Sequence, residues 1–173
     1  MTPPSAFVEL DKAVHNRKSF DCGTEELNSF LHQFAVRHRD AGISMTMVLP
    51  AKENEADICA YYTLSHTEIE RQTLPQNLAK KLPRYPIPVM LIAQLAVHKD
   101  AQGFGLGKVS LIRALRHTHE INHHLPSYAV VVDALNGDVQ AFYEQYGFKV
   151  LDTDNHRTRL FISMKTVAQL FTD

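Results

Sequence analysis

The stretch Gln102-Gly103-Phe104-Gly105-Leu106-Gly107-Lys108 lies between an apolar run, Val89 to Val97, and a segment of helical pattern, Val109 to His117. A strand, a glycine-rich turn and a helix start, in that order, suggest a phosphate cradle. Glycine lets the backbone approach an anion closely, and the first N–H groups of a helix have no acceptor inside it. The expected ligand is therefore a phosphorylated cofactor. The loop alone does not say which one. Gly103-x-Gly105-x-Gly107 lacks the dinucleotide spacing G-x-G-x-x-G, and Lys108 is followed by Val109 where a P-loop needs Ser or Thr. A plain surface turn ahead of a helix stays open as the alternative.

The rest of the chain reads outward from this loop. Phe7 to Leu10 suggests a short strand and Phe20-Asp21-Cys22-Gly23 a turn. Thr24 offers an N-cap. Glu25 and Glu26 suit a first turn, and Leu27, Phe30, Leu31 and Phe34 recur at helical spacing, predicting a helix to about Arg39. Met45 to Leu49 and Ile58 to Leu64 predict paired strands. Pro75 starts or interrupts a helix within Glu68 to Lys81, and three prolines make Leu82 to Pro88 extended or loop-like. Val89 to Val97 predicts a buried central strand, followed by a helix from Gly107 to about Asn122. Tyr128 to Ala134 predicts a strand, Asp138 to Tyr146 a helix closed by Gly147, and Phe148 to Leu151 and Thr158 to Met164 two last strands. This order predicts a mixed sheet with helices on both faces, and Val89 to Ala134 is long enough for a right-handed parallel crossover.

Composition narrows the function classes. A chain of 173 residues predicts one domain, 1–173, with a real core. Hydrophobic residues make up 45%, and the mean hydropathy of -0.21 is that of an ordinary globular protein. A formal charge of -1 excludes a uniformly basic nucleic-acid binder but not a local basic patch. No stretch is long and apolar enough to span a membrane, and Met1-Thr2-Pro3-Pro4 carries no secretory pattern, so the expected location is cytoplasmic. Cys22 and Cys59 have no metal or redox spacing and are expected to be buried free thiols. His117, His119, His123 and His124 cluster without cysteines or a carboxylate array, so no metal is expected.

Taken together, these residues resemble the GNAT acyltransferases. Gln102-x-x-Gly105-x-Gly107 is similar to that family's [RQ]-x-x-G-x-[GA] motif at the pyrophosphate. Leu95-Ala96-Val97 is similar to its pantetheine-pairing strand, and Asn136 with Ala141-Phe142-Tyr143-x-x-x-Gly147-Phe148 to its downstream block. The resemblance implies an α/β (α+β) fold: a central mixed, twisted sheet with helices on both faces and a splayed central strand pair. It implies acetyl-CoA as cosubstrate and no metal. A narrower resemblance runs over nearly the full length. Phe20 to Gly23, Leu27-Asn28-x-Phe30-Leu31, Tyr61-Tyr62-Thr63-Leu64-Ser65, Ile87-Pro88-Val89 and Ser163-Met164-Lys165 look like the GNAT toxins of bacterial toxin–antitoxin pairs. That likeness implies acetylation of the α-amino group of aminoacyl-tRNA, inhibition of translation, a ribbon-helix-helix antitoxin and a homodimer. The alternatives are a GNAT enzyme acting on a small amine or a protein N-terminus, and an acetyl-CoA-binding module whose task is repression or scaffolding.

The resemblance also distributes roles. Tyr143 is the expected general acid, because a phenol is a donor at neutral pH. Tyr146 is its competitor, one residue before Gly147. Backbone groups of Leu95, Ala96 and Val97 would pair with pantetheine, as in strand addition. Gln102, Gly103, Phe104, Gly105, Gly107 and Lys108 would hold the pyrophosphate. Asn136 and Phe142 complete the cofactor set, Asn136 either bonding the pantetheine arm or capping its helix. A tRNA partner needs exposed cations, and the candidates are Arg37, Arg39, Lys80, Lys81 and Arg84, with Arg113 and Arg116 on the cofactor helix.

Overall fold

The structure is a computed structural model, and it describes residues 1–3, 6–154 and 156–172. In chain order the elements are β1 (Val8–Glu9), α1 (Glu25–Ser29), a π-helical turn (Phe30–Phe34), α2 (Ala35–Asp40), β2 (Ser44–Pro50) and β3 (Ile58–Ile69). A 3-10 turn (Arg71–Thr73), α3 (Gln76–Ala79), β4 (Ile87–Val97) and a second 3-10 turn (Lys99–Ala101) follow. The chain then runs through α4 (Leu106–Asn122), β5 (Ala129–Ala134), α5 (Gly137–Gln145), β6 (Lys149–Asp154), β7 (Arg157–Ser163) and α6 (Met164–Leu170). The strands form a mixed seven-stranded sheet in the order β1-β2-β3-β4-β5-β7-β6. β1–β2, β2–β3, β5–β7 and β6–β7 pair antiparallel, whereas β4 and β5 pair parallel. Among the described residues the parallel ladder joins Met90 to Val130 and Leu91 to Val131. No helix among the described residues is long and apolar enough to cross a membrane.

The chain divides into two compact units: Met1–Ser65 with Ile92–Ala114, and His66–Leu91 with Leu115–Asp173. In the first, Phe20, Phe30, Leu31, Ala35, Val48, Ile58, Tyr61 and Ala96 form one buried cluster. Tyr61 belongs to it and is fully buried, donating its hydroxyl to the Leu27 carbonyl at 2.7 Å. Tyr61→Phe should cost about 1 kcal/mol, the loss of one buried hydrogen bond, because the Leu27 carbonyl keeps the Phe30 N–H as a partner. Thermal unfolding should show the melting temperature lowered by a few degrees with the fold intact. In the second unit Ile69, Leu74, Ile87, Val89, Ala129, Val131 and Phe161 form the core.

Several expectations are corrected by the structure. The helix from Thr24 to Arg39 is not continuous: Ala35 N–H reaches the Phe30 carbonyl, five residues back, in a π-turn. The extra residue shifts the helical register, and Phe34, expected on the core face, is 39% exposed. Thr24 occupies the N-cap position but its side chain caps nothing. Glu68 and Ile69 end β3, and the rest of the segment to Lys81 holds a 3-10 turn and the four-residue α3 that Pro75 precedes. The final strand ends at Ser163, and Met164–Leu170 is a helix where the sequence predicts none. Its signal is Ser163, whose Oγ accepts the Thr166 N–H at 3.2 Å, an N-cap bond. Cys59 is fully buried, but Cys22 is only half-buried.

Candidate active site: the glycine loop and the tyrosine helix

The glycine loop belongs to the first unit. Gly103 and Gly105 have φ of +88° and +79°, where a side chain is strained and glycine is not. A Cβ built on either would meet nothing within 4 Å. The glycines are therefore required by backbone conformation, and the space beside them is open. The first helical bond near this end runs from Val109 N–H to the Gly105 carbonyl at 3.2 Å. The N–H groups of Leu106, Gly107 and Lys108 thus start the 17-residue α4 without helical acceptors. Open space, two left-handed glycines and a helix N-terminus fit a pyrophosphate, which backbone donors and the helix dipole would hold. Lys108 is exposed beside them, and Phe104 is 80% exposed at the loop tip.

Gln102 has a role the motif alone does not reveal. Its side-chain amide donates to the Val97 carbonyl at 2.9 Å and to the Cys22 carbonyl at 3.0 Å, and its own N–H reaches the Lys99 carbonyl at 3.4 Å. Gln102 thus ties the loop to the end of β4 and to the 20–23 turn. That turn is built to receive it. Asp21 accepts from Gly23 N–H at 2.9 Å and from the Asn28 amide at 3.0 Å, and pairs with Lys99 at 3.1 Å. The Gly23 N–H, the Asn28 amide and Lys99, in that order, hold its carboxyl down at about 2. Asn28 Oδ1 accepts the Cys22 N–H at 2.8 Å. His98, buried against the Phe20 ring, accepts the Asp100 N–H on Nδ1 at 3.0 Å. The N-terminal motif Phe20 to Gly23 is therefore the anchor of the loop.

The tyrosine helix belongs to the second unit. Asn136 caps α5, accepting the Val139 N–H at 3.0 Å; of its two expected roles the structure displays the cap. Gly147, φ +96°, ends the helix. Tyr143 is 6% exposed, with its ring 5.4 Å from Phe148 and 5.3 Å from Phe142. Burial first, and the charge of Asp133 second, push its phenol up to about 12. It is a proton donor throughout the neutral range. Among the described residues its hydroxyl has no hydrogen-bond partner, so it can donate to a bound molecule without breaking a bond.

The expected nucleic-acid contacts fall into two sets. Arg37 and Arg39 are exposed on α2 in the first unit, where Arg39 pairs with Glu9 at 2.5 Å and is in part neutralised. Lys80, Lys81 and Arg84 are exposed between α3 and β4 in the second unit. Arg113 and Arg116 are both exposed, and Arg116 also lies over the Phe171 ring at 4.8 Å. Among the described residues no three His, Cys, Asp or Glu side chains are grouped to hold a metal ion. The sequence gives no signal for the pair formed by Asp133 and Arg159 across β5 and β7. Only strand register brings these two residues opposite each other.

A helix that starts on a glycine cradle, and a buried, protonated tyrosine, are the marks of an acyl-CoA-dependent transferase. The acetyltransferase (GNAT) domain model matches residues 88–167, and the chain belongs to the GNAT acetyltransferase family. It is 27% identical over 155 residues to a tRNA-acetylating toxin of Mycobacterium tuberculosis, a match that spans 90% of each chain. The crystal structure of a KacT mutant superposes with a TM-score of 0.88 at 30% identity, over 96% of this chain and 98% of that one. AtaT complexed with acetyl-methionyl-tRNAfMet gives a TM-score of 0.87 at 30% identity, over 96% and 99%. An AtaT mutant bound to the C-terminus of the antitoxin AtaR and acetyl-CoA gives a TM-score of 0.81 at 26% identity, over 97% and 98%.

Proposed function

We propose that this protein transfers the acetyl group of acetyl-CoA to the α-amino group of aminoacylated tRNA, so arresting translation, and that a cognate antitoxin neutralises it. The observation that carries this reading is the full-length likeness to a tRNA-acetylating toxin and to AtaT in its acetyl-methionyl-tRNAfMet complex. Acetyl-CoA supplies the activated thioester. Backbone donors from Gln102 to Lys108, with Gly103, Phe104, Gly105 and Gly107 between them, would hold its pyrophosphate. The main chain of Leu95, Ala96 and Val97 would pair with its pantetheine arm, and Asn136 and Phe142 complete the cofactor set.

The acceptor needs little help to become nucleophilic. A free α-amino group titrates near pH 7.7–8.0 and the adjacent ester lowers that further, so a large share is neutral at about pH 7.5. The amine forms the new C–N bond as the C–S bond breaks. Tyr143 gives its proton to the departing thiolate, and the amine proton leaves to water. Arg37, Arg39, Lys80, Lys81 and Arg84 are proposed to meet the tRNA backbone. A ribbon-helix-helix antitoxin, a homodimer and a cytoplasmic location belong to the same reading.

The test is a transfer assay with acetyl-labelled acetyl-CoA and a pool of charged tRNA, run against peptides and polyamines. Label should enter the charged tRNA. Turnover of a small amine or a peptide with charged tRNA ignored would overturn the reading.

A further inference from the structure

β5 carries an abrupt change of chemistry along one sheet face. Side chains alternate along a strand, so Ala129, Val131 and Asp133 share a face. Ala129 and Val131 pack in the core with Phe161 of β7. Two residues further along each strand the apolar pattern stops, and Asp133 stands opposite Arg159 in the antiparallel register. The pair is bidentate: Arg159 Nε donates to Oδ1 at 2.8 Å and a terminal nitrogen to Oδ2 at 3.0 Å. It is half-buried, the two side chains being 31% and 25% exposed.

The pair lines a cavity of ≈ 320 Å³ together with Asp152 of β6 and Arg157 of β7. An apolar pair would complete this end of the core at no desolvation cost, whereas a half-buried ion pair contributes little net stability. The chain instead places two charged residues at the end of the strand. A carboxylate in such a bidentate pair still has lone pairs to offer a further donor. Asp133 also acts electrostatically on Tyr143, the residue assigned to proton transfer. An acceptor nitrogen that enters in part as an ammonium is a donor of the kind such a carboxylate binds.

We propose that Asp133 is the receptor for the acceptor's amino group, accepting a hydrogen bond from it within this cavity, and that Arg159 is a positioning residue that fixes the carboxylate. The inference rests on the acceptor reading above and adds to it the determinant of acceptor binding. The ligand class is a primary amine next to a carbonyl group; an ammonium once acylated has lost its charge and two of its three N–H donors, so the product is released.

The experiment measures KM for a charged-tRNA pool and, separately, acetyl-CoA affinity by calorimetry. It compares the wild type, Asp133→Asn, Arg159→Met and the charge-swapped double variant Asp133→Arg with Arg159→Asp. Asp133→Asn should raise the acceptor KM about tenfold or more, the loss of one charge-assisted hydrogen bond, with acetyl-CoA affinity unchanged. Arg159→Met should raise it less, because the carboxylate stays but is no longer held. The swapped variant restores an ion pair but faces the amine with a cation. It should keep the wild-type melting temperature and still show the raised KM. A wild-type acceptor KM in Asp133→Asn, or its rescue by the swap, overturns the proposal and leaves the pair purely structural. If the swapped chain does not fold, Asp133→Asn with intact cofactor binding decides alone. A wild-type protein inactive on charged tRNA is a different result, because it overturns the acceptor reading itself.

Discussion

Tyr143→Phe should lower kcat on charged tRNA by about 10²–10⁴-fold, the usual range for losing a general acid. Acetyl-CoA affinity and the fold should hold. The ring is the buried part of this residue, seated between Phe142 and Phe148, and Phe keeps it. The hydroxyl has no partner among the described residues, so its removal orphans no donor or acceptor of the protein. Steady-state kinetics paired with calorimetry separates the two quantities. If turnover is unchanged while charged tRNA remains a substrate, Tyr143 does not carry the proton.

The same variant has a signature in alkali. Burial, then Asp133, raise the Tyr143 phenol from 10 to about 12. A raised pKa means that the folded state holds the proton more tightly than the unfolded state. The stabilisation is therefore complete below about pH 10 and is lost as pH rises through about 12, roughly 2–3 kcal/mol in all. Denaturation of the wild type should steepen in that window, and Tyr143→Phe should be spared this contribution. At neutral pH the two should unfold alike.

Gly105→Val should weaken acetyl-CoA binding by about 100-fold or more, the loss of roughly 2–3 kcal/mol. At φ +79° a β-branched residue costs roughly 1–3 kcal/mol of backbone strain. Its side chain would also fill the open space that a Cβ there enters, where a phosphate would approach the amides. Strain alone is controlled by Gly42→Val. Gly42 has φ +76° and equally open surroundings, but lies in the turn after α2. Both variants should lose comparable stability, and only Gly105→Val should lose the cofactor. Equal calorimetric affinities for the two would sink the cradle assignment.

How much of this is legible in the sequence differs from element to element. The alternating and apolar runs of β2 to β5 place those strands to within a few residues, because hydrophobic period reports burial directly. The loop and its helix start follow from glycine chemistry, and Asn136 and Gly147 bracket α5 because capping is local. The π-turn at Phe30–Phe34 is not legible. Its apolar residues fit ordinary helical spacing, and only packing of this segment within its own unit selects the extra residue. The last helix escapes for another reason: Met164–Leu170 follows β7 with no glycine or proline between them, so Ser163 reads as strand and not as a cap.

The contrast is sharpest in the glycine loop. The sequence by itself determined a flexible glycine turn ahead of a helix start, which follows from the chemistry of glycine and of helix ends; the left-handed backbone at Gly103 and Gly105 is seen in the structure. The sequence also singled out Tyr143 as a candidate, through the resemblance carried by the block that begins at Asn136. Only the tertiary structure decided what Gln102 does, because its partners are the carbonyls of Val97 and Cys22, one of them 80 residues away. Tertiary structure alone likewise set Asp133 against Arg159, 26 residues apart, and pushed the Tyr143 proton beyond its ordinary range. Local conformation is encoded in neighbouring residues, whereas hydrogen-bond partners, ion pairs and burial depend on strand register and packing between distant segments.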